Sequence, residues 1–257
     1  MRALYTAATG MTAQQLRIDN IANNLANVST TGFKKGRGAF EDLIYQKLPS
    51  GAPVDGAQRP AELDIGSGTR MVAMHRDFSQ GNLTQTGNPY DLAVGGRGFF
   101  VVEDPDGNEF YTRDGHFGVN SEGDLVNAQG FRLSPGVNIP DDANTVAIGA
   151  DGNITATFEG STDELTLGTV RIVDVPNPAG LEALGGNLYA ASPSSGDPVE
   201  LYPEDGYQIQ QGFLESSNVD VAEELVAMIV AQRAFELTSK VVQTADESLQ
   251  VVSNMKR

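Results

Sequence analysis

Apolar residues recur every seven positions at both ends of this 257-residue chain, and that pattern limits its fold more than any other feature. At the start, Leu4, Met11, Ile18 and Leu25 keep the interval, Ala7, Ile21 and Val28 fall three positions further on, and Gln14 is a polar defect. At the end, Val221, Met228, Phe235, Val242 and Leu249 keep the same spacing, with Leu225, Ala231, Ala245 and Val252 three or four positions along. A seven-residue apolar repeat is the seam of an amphipathic helix that packs on another helix. Each seam is long, roughly 40 to 50 Å at about 1.5 Å per residue, and exceeds what a compact middle domain could cover. Two helices packed only on each other would leave part of each seam wet, so further copies of the chain are the natural cover.

The ends of these helices carry their own signals. Ser29, Thr30 and Thr31 are weak helix formers, and Gly32 can take the left-handed conformation that closes a helix, so the first helix is expected to stop between Ser29 and Gly32. Asp220 followed by Glu223 has the spacing of a capping box, and Asp220, Glu223 and Glu224 together suit the positive end of a helix dipole. Asn20, Asn23, Asn24 and Asn27 sit off the seam and weaken the first helix. They read either as a solvated polar face or as amides that bond to neighbouring subunits.

Between roughly 76 and 210 the pattern changes to short runs rich in Val, Phe, Thr and Tyr, divided by turn pairs. Asp106-Gly107, Asp114-Gly115, Glu122-Gly123 and Gln129-Gly130 predict an antiparallel meander with strands at 99–102, 110–112, 117–119, 125–127 and 131–133. The fold class is therefore α+β. Long N- and C-terminal helices pair as a coiled coil around a mainly antiparallel β middle. Residues 1–30 with 215–257 form the helical part, 31–75 a connecting segment with an extended arm, and 76–214 a β-rich domain. Pro49 to Pro60 reads as the arm, because it is rich in Pro and Gly and has no periodicity.

Chemical motifs are weak by comparison. Asp104, Asp106, Asn108 and Glu109 faintly suggest a calcium loop, but Gly115 stands where the loop's closing carboxylate belongs, so a hairpin turn is expected. Gly95-Gly96-Arg97-Gly98 precedes Phe99 and Phe100, which have strand character, and reads as a bend before a strand instead of a phosphate cradle. His75 and His116 are the two histidines, and a hydrolase arrangement could rest only on His116 with Asp114. The expectation is no catalytic residue, no metal site and no cofactor. The net charge is −17, with 34 acidic and 17 basic side chains, which makes nucleic acid an unsuitable partner. No apolar run approaches a transmembrane segment, Gln14, Gln15, Arg17 and Asp19 interrupt any signal-peptide core, and Cys is absent.

The stretch Ile21-Ala-Asn-Asn-Leu-Ala-Asn-Val-Ser-Thr-Thr-Gly-Phe33 resembles the N-terminal signature of flagellar rod and hook proteins. Ser217-Asn-Val-Asp-Val-Ala-Glu-Glu-Leu225 with Gln232 and Arg233 is similar to their C-terminal signature, and Gly81 to Val94, Gly98-Phe-Phe and Tyr111-Thr-Arg-Asp-Gly115 match core-domain motifs. The motif residues carried over are Asn23, Asn24, Asn27, Gly32, Phe33, Ser217, Asn218, Gln232 and Arg233. Phe235, Asp220 and Thr238 depart from the family, which usually has Tyr, Asn and Asn there. Length sets aside the short proximal rod proteins and the longer hook proteins.

The resemblance implies a subunit exported unfolded by the flagellar type III apparatus and polymerised into a helical tube across the periplasm, within the flagellar basal body. Its partners would be further copies of itself, proximal rod proteins, the hook protein and the L- and P-ring proteins. Residues 45–69 resemble an additional stretch associated with a stiff shaft. Two other readings stay open, a secreted β-rich protein that binds or cleaves cell-wall glycan and an outward adhesin with coiled-coil ends.

Overall fold

The computed structural model describes residues 2–48, 63–158 and 164–255. Helix α1 spans Arg2–Ala26 and helix α2 spans Val221–Met255, with a mainly antiparallel β region between them. Asp220 caps α2: its Oδ1 accepts from the Ala222 and Glu223 N–H groups at 2.8 and 3.2 Å. At the other terminus α1 stops earlier than its periodicity suggests. Thr30 N–H donates to the Asn27 carbonyl and Thr30 Oγ1 to Asn27 Oδ1, a local turn that competes with helix. Val28, expected on the seam, therefore lies beyond the helix.

The chain divides into two compact units. The first comprises residues 1–25, 36–75 and 220–257, and the second residues 26–35 and 76–219. In the first, the connecting segment is more ordered than its composition suggests. Gly36–Asp42 pairs with Thr69–Arg76, and Gln46–Leu48 pairs antiparallel with Leu63–Ile65. The proposed arm from Pro49 to Pro60 lies outside the described residues.

The second unit is built around Phe99–Glu103. Phe99 and Val101 point into one apolar cluster with Tyr111, Val173 and Tyr189, while Phe100 and Val102 point into another with Leu92, Phe117, Leu125 and Ile172. Alternate side chains leave a strand on opposite faces, so a strand buried on both sides reads as an unbroken apolar run. Edge-to-face contacts of Phe78 with Phe99 and Tyr189, and of Phe100 with Phe117, fill these clusters.

The observed order departs from a simple meander. Strand 99–103 pairs with Glu109–Thr112 and 117–119 pairs with 125–127, but Arg132–Leu133 returns to lie beside 99–103. Asp114-Gly115 is thus not a hairpin turn. The chain there runs against Leu92, whose N–H donates to the Gly115 carbonyl at 3.0 Å, and a Cβ at Gly115 would collide with the Leu92 carbonyl oxygen. That close approach directs the backbone away from its preceding strand. Ala143–Ile148, Asn153–Phe158 and Glu164–Thr169 form a separate three-stranded antiparallel sheet.

Candidate assembly surfaces

Within the first unit α1 and α2 run antiparallel. Gly10 stands opposite Thr238, and Asn24 Nδ2 donates to Glu224 Oε2 at 3.3 Å. Fourteen residues separate the contacts on each helix, so no register slip intervenes between them. The buried positions of α1 are Ala7, Ala13, Asn20, Ile21 and Asn24, and those of α2 are Glu224 and Ala231. At Gly10 an added Cβ would lie 3.5 Å from the Thr238 methyl, an ordinary van der Waals contact. The bulky seam residues are displaced from it: Leu4, Met11, Ile18, Leu25, Met228, Phe235 and Val242 are half-buried, and Val221, Leu225 and Leu249 are exposed. Of the expected seam, Ala7, Ile21 and Ala231 are buried among the described residues, and Ile21 is the one bulky side chain of the three.

Asn20 and Asn24 are neither solvated nor directed outward. Both Nδ2 groups donate to the Gly36 carbonyl, at 2.9 and 3.0 Å, and the Gly36 N–H donates to Asn24 Oδ1 at 2.9 Å. They fix the start of the β ribbon against α1. Thr9 meets the start of the ribbon's second strand, its Oγ1 accepting from the Thr69 N–H at 3.4 Å and lying where a Cβ at Gly68 would collide with it. Asn23 is exposed on α1. Gln232 and Arg233 are exposed on α2, where Arg233 pairs with Glu236 at 3.0 Å.

The second unit brings three separate sequence motifs together. Glu215 is fully buried and accepts from Lys34 Nζ, from Arg113 NH1 at 3.3 Å and from the Gly81 N–H at 2.8 Å. Lys34 Nζ also donates to the Ser79 carbonyl, and Arg113 to the Val94 and Gly96 carbonyls. Burial pushes both the Lys34 ammonium and the Arg113 guanidinium down from their ordinary values, against the pull of Glu215. Asn218 Oδ1 accepts from the Lys35 N–H at 2.8 Å, while its Nδ2 donates to the Asp77 and Ser79 carbonyls. Ser217 Oγ accepts from the Val219 N–H.

Gly32 closes this junction. Its N–H donates to the Glu215 carbonyl at 2.8 Å, its φ is +67°, and a Cβ there would lie 2.5 Å from the Asp114 nitrogen. Phe33 is buried beneath the Arg76 guanidinium. Lys34, Arg113 and Glu215 are absent from the expected site residues. Lys34 stands with Lys35 and Arg37 in a short basic segment, and nothing local marks a buried ion cluster whose members are 79 to 181 positions apart.

The chemical candidates resolve locally. Asp104 to Asn108 is a hairpin turn, with the Gly107 N–H on the Asp104 carbonyl. The His116 ring meets Asp91 at 3.0 Å, and Asp114 accepts from the His116 backbone N–H instead of its ring, so the His116–Asp114 dyad is not formed. Among the described residues no cluster of His, Asp or Glu could hold a metal ion, and no helix is long and apolar enough to cross a membrane.

Comparison with known proteins matches the same three regions. Residues 4–34 fit the model for flagella basal body rod protein, 93–156 that for the flagellar hook protein FlgE/F/G D1 domain, and 210–255 that for the flagellar basal body rod FlgEFG protein C-terminal region. The flagellar basal-body rod protein FlgG of Borreliella burgdorferi is 44% identical over 263 residues, covering 100% of this chain and 99% of that protein. FlgG of Agrobacterium fabrum is 44% identical, covering 98% of each chain. In Caulobacter vibrioides, FlgG is 39% identical over 261 residues and the rod protein FlgF 33% over 252. Matched along its whole length, with the Gly32–Glu215–Asn218 junction built from two of the matched regions, the chain belongs to the flagellar basal-body rod protein family.

Proposed function

We propose that this chain is the distal rod subunit of the bacterial flagellar basal body, a structural protein that polymerises through its terminal helices into a stiff hollow shaft and passes torque to the hook. The observation that carries the assembly reading is the apolar surface of α2. Val226, Ile229, Val230, Leu237, Val251 and Met255 are exposed in the single chain, Leu237 by 66% and Met255 by 81%. Covering each such side chain contributes on the order of 1.5–3 kcal/mol before ordering costs, so several together can fix a helix that one neighbour leaves half wet. The half-buried seam residues Leu4, Met11, Ile18, Leu25, Met228, Phe235 and Val242 then complete their cover as a coiled coil in the polymer. An apolar groove of about 740 Å³ lined by Ala3, Ala7, Gly10, Ile65, Leu237 and Val241 supports the same reading.

The higher identity to FlgG than to FlgF of one organism favours the distal over the proximal rod position. Proximal rod proteins below, the hook above, the L- and P-rings around the shaft and the type III export apparatus are the partners that follow. Leu237→Asp and Val230→Asp test the assembly reading. Each leaves the β-rich unit folded by circular dichroism but prevents polymerisation and abolishes flagella; variants that still build flagella overturn it.

A further inference from the structure

A cavity of about 440 Å³ in the β-rich unit is lined by Phe78, Arg97, Phe99, Arg113, Asp174 and Pro176, among others. Its size is that of sites that take a small ligand or a side chain, about 300–1,000 Å³. Two guanidinium groups share the lining with one carboxylate, and Asp174 already uses Oδ1 to accept from the Val175 N–H. Arg97 is exposed, and among the described residues no carboxylate lies within ion-pair distance of it. Arg113, with 4% of its side chain exposed, is held by two carbonyls and Glu215, lies over the Phe99 ring, and keeps a buried Nε without an acceptor. Behind it, Lys34 and Arg113 share the Glu215 carboxylate, with Asp77 acting on Lys34 and Asp174 on Arg113 from further off. An exposed guanidinium without a carboxylate partner, beside aromatic rings and proline, is placed to bind a carboxylate by paired hydrogen bonds.

We propose that this cavity receives the carboxylate of an Asp or Glu side chain from a second copy of the chain. Charge complementarity identifies the source. Past residue 60 the sequence holds 30 acidic and 10 basic side chains, so the surface a second copy presents is dominated by carboxylates. Arg97 makes the paired contact, and Arg113, fixed by its own hydrogen bonds, supplies a charge that cannot move away. The inference rests on the self-assembly reading and adds a polar contact between β-rich units to it.

The test uses the purified full-length chain and two readouts. Sedimentation gives the critical concentration for polymerisation: Arg97→Glu raises it at least tenfold, Arg97→Lys raises it less, and Arg132→Glu, the same charge change elsewhere on this unit, leaves it within twofold. Nuclear magnetic resonance follows the arginine Nε–H signals of the monomer as sodium acetate replaces sodium chloride at constant ionic strength, and the Arg97 signal shifts saturably. Polymerisation of Arg97→Glu at the wild-type concentration overturns the inference and leaves self-assembly intact. Failure of the wild-type chain to polymerise counts against the assembly reading instead; the acetate titration then decides, a saturable shift supporting a carboxylate site and a flat one overturning it.

Discussion

The carboxamide of Asn24 holds Gly36 by both of its backbone groups, accepting from the N–H at 2.9 Å and donating to the carbonyl at 3.0 Å. Both residues are buried, and Asn20 supplies a second donor to the same carbonyl. Asn24→Ala leaves the buried Gly36 N–H without this acceptor, at a cost of about 1–3 kcal/mol. Asn20→Ala costs less, because Asn24 still serves the carbonyl. Asn24→Asp keeps an acceptor but sets a second carboxylate beside Glu224, so its loss of stability is larger at pH 7 than at pH 4. Denaturant unfolding of the three variants, with hydrogen exchange at the Gly36 amide, checks the order.

Glu215 balances Lys34 and Arg113 in a place water does not reach. Glu215→Gln leaves two buried cations with a neutral partner, and the expected loss is about 3–5 kcal/mol. The same cluster gives stability a pH dependence. Burial lowers the Lys34 pKa from 10.5 against the attraction of Glu215, so the folded chain releases this proton at lower pH than the unfolded chain. In the window between the lowered value and 10.5 the unfolded state binds more protons, and this residue's contribution to stability rises with pH. The difference in unfolding free energy between wild type and Lys34→Met, measured from pH 7 to 10.5, should carry that slope. A difference independent of pH would show that Lys34 keeps an ordinary pKa when folded.

Two left-handed glycines separate the cost of conformation from that of collision. Gly107, φ +84°, sits in an open hairpin turn with nothing near a Cβ, whereas Gly32, φ +67°, abuts the backbone at Arg113 and Asp114. Gly107→Ala should cost about 1–2 kcal/mol, the price of a left-handed alanine. Gly32→Ala pays that and must also move the 113–114 backbone, so its thermal midpoint should fall well below that of Gly107→Ala. Equal midpoints would mean that the junction yields freely.

Much of this architecture is legible in sequence because it is periodic or local. The seven-residue repeats place both helices, Asp220 marks the start of α2, and the Gly pairs bound the strands at 117–119 and 125–127. What escapes is non-local. A heptad reading gives most weight to bulky residues such as Leu4 and Met11, which are half-buried, whereas the small residues Ala7 and Ala13 are buried. Asn20 and Asn24 look like surface polar residues because their partner, Gly36, is a backbone group with no sequence signature. Arg132–Leu133 returns to the 99–103 strand, a pairing across some thirty positions that no turn propensity encodes.

The helix register makes one more prediction, about where order is gained on assembly. Carrying the spacing of the Gly10–Thr238 and Asn24–Glu224 contacts back along α1 brings Arg2 level with residue 246, so the turns of α2 beyond it have no partner on α1. Leu249, Val251 and Met255 in those turns are exposed. A terminal stretch of about two and a half turns without packing is marginal as helix in water. In the monomer, amides from 247 to 255 should exchange near the intrinsic rate, while those around Glu224 and Ala231 are protected. In the polymer the terminal amides should slow by at least about a hundredfold as a neighbour covers them. If they exchange equally fast in both, this end is not part of the interface and the apolar contacts must lie along the exposed middle of α2, around Val226, Val230 and Leu237.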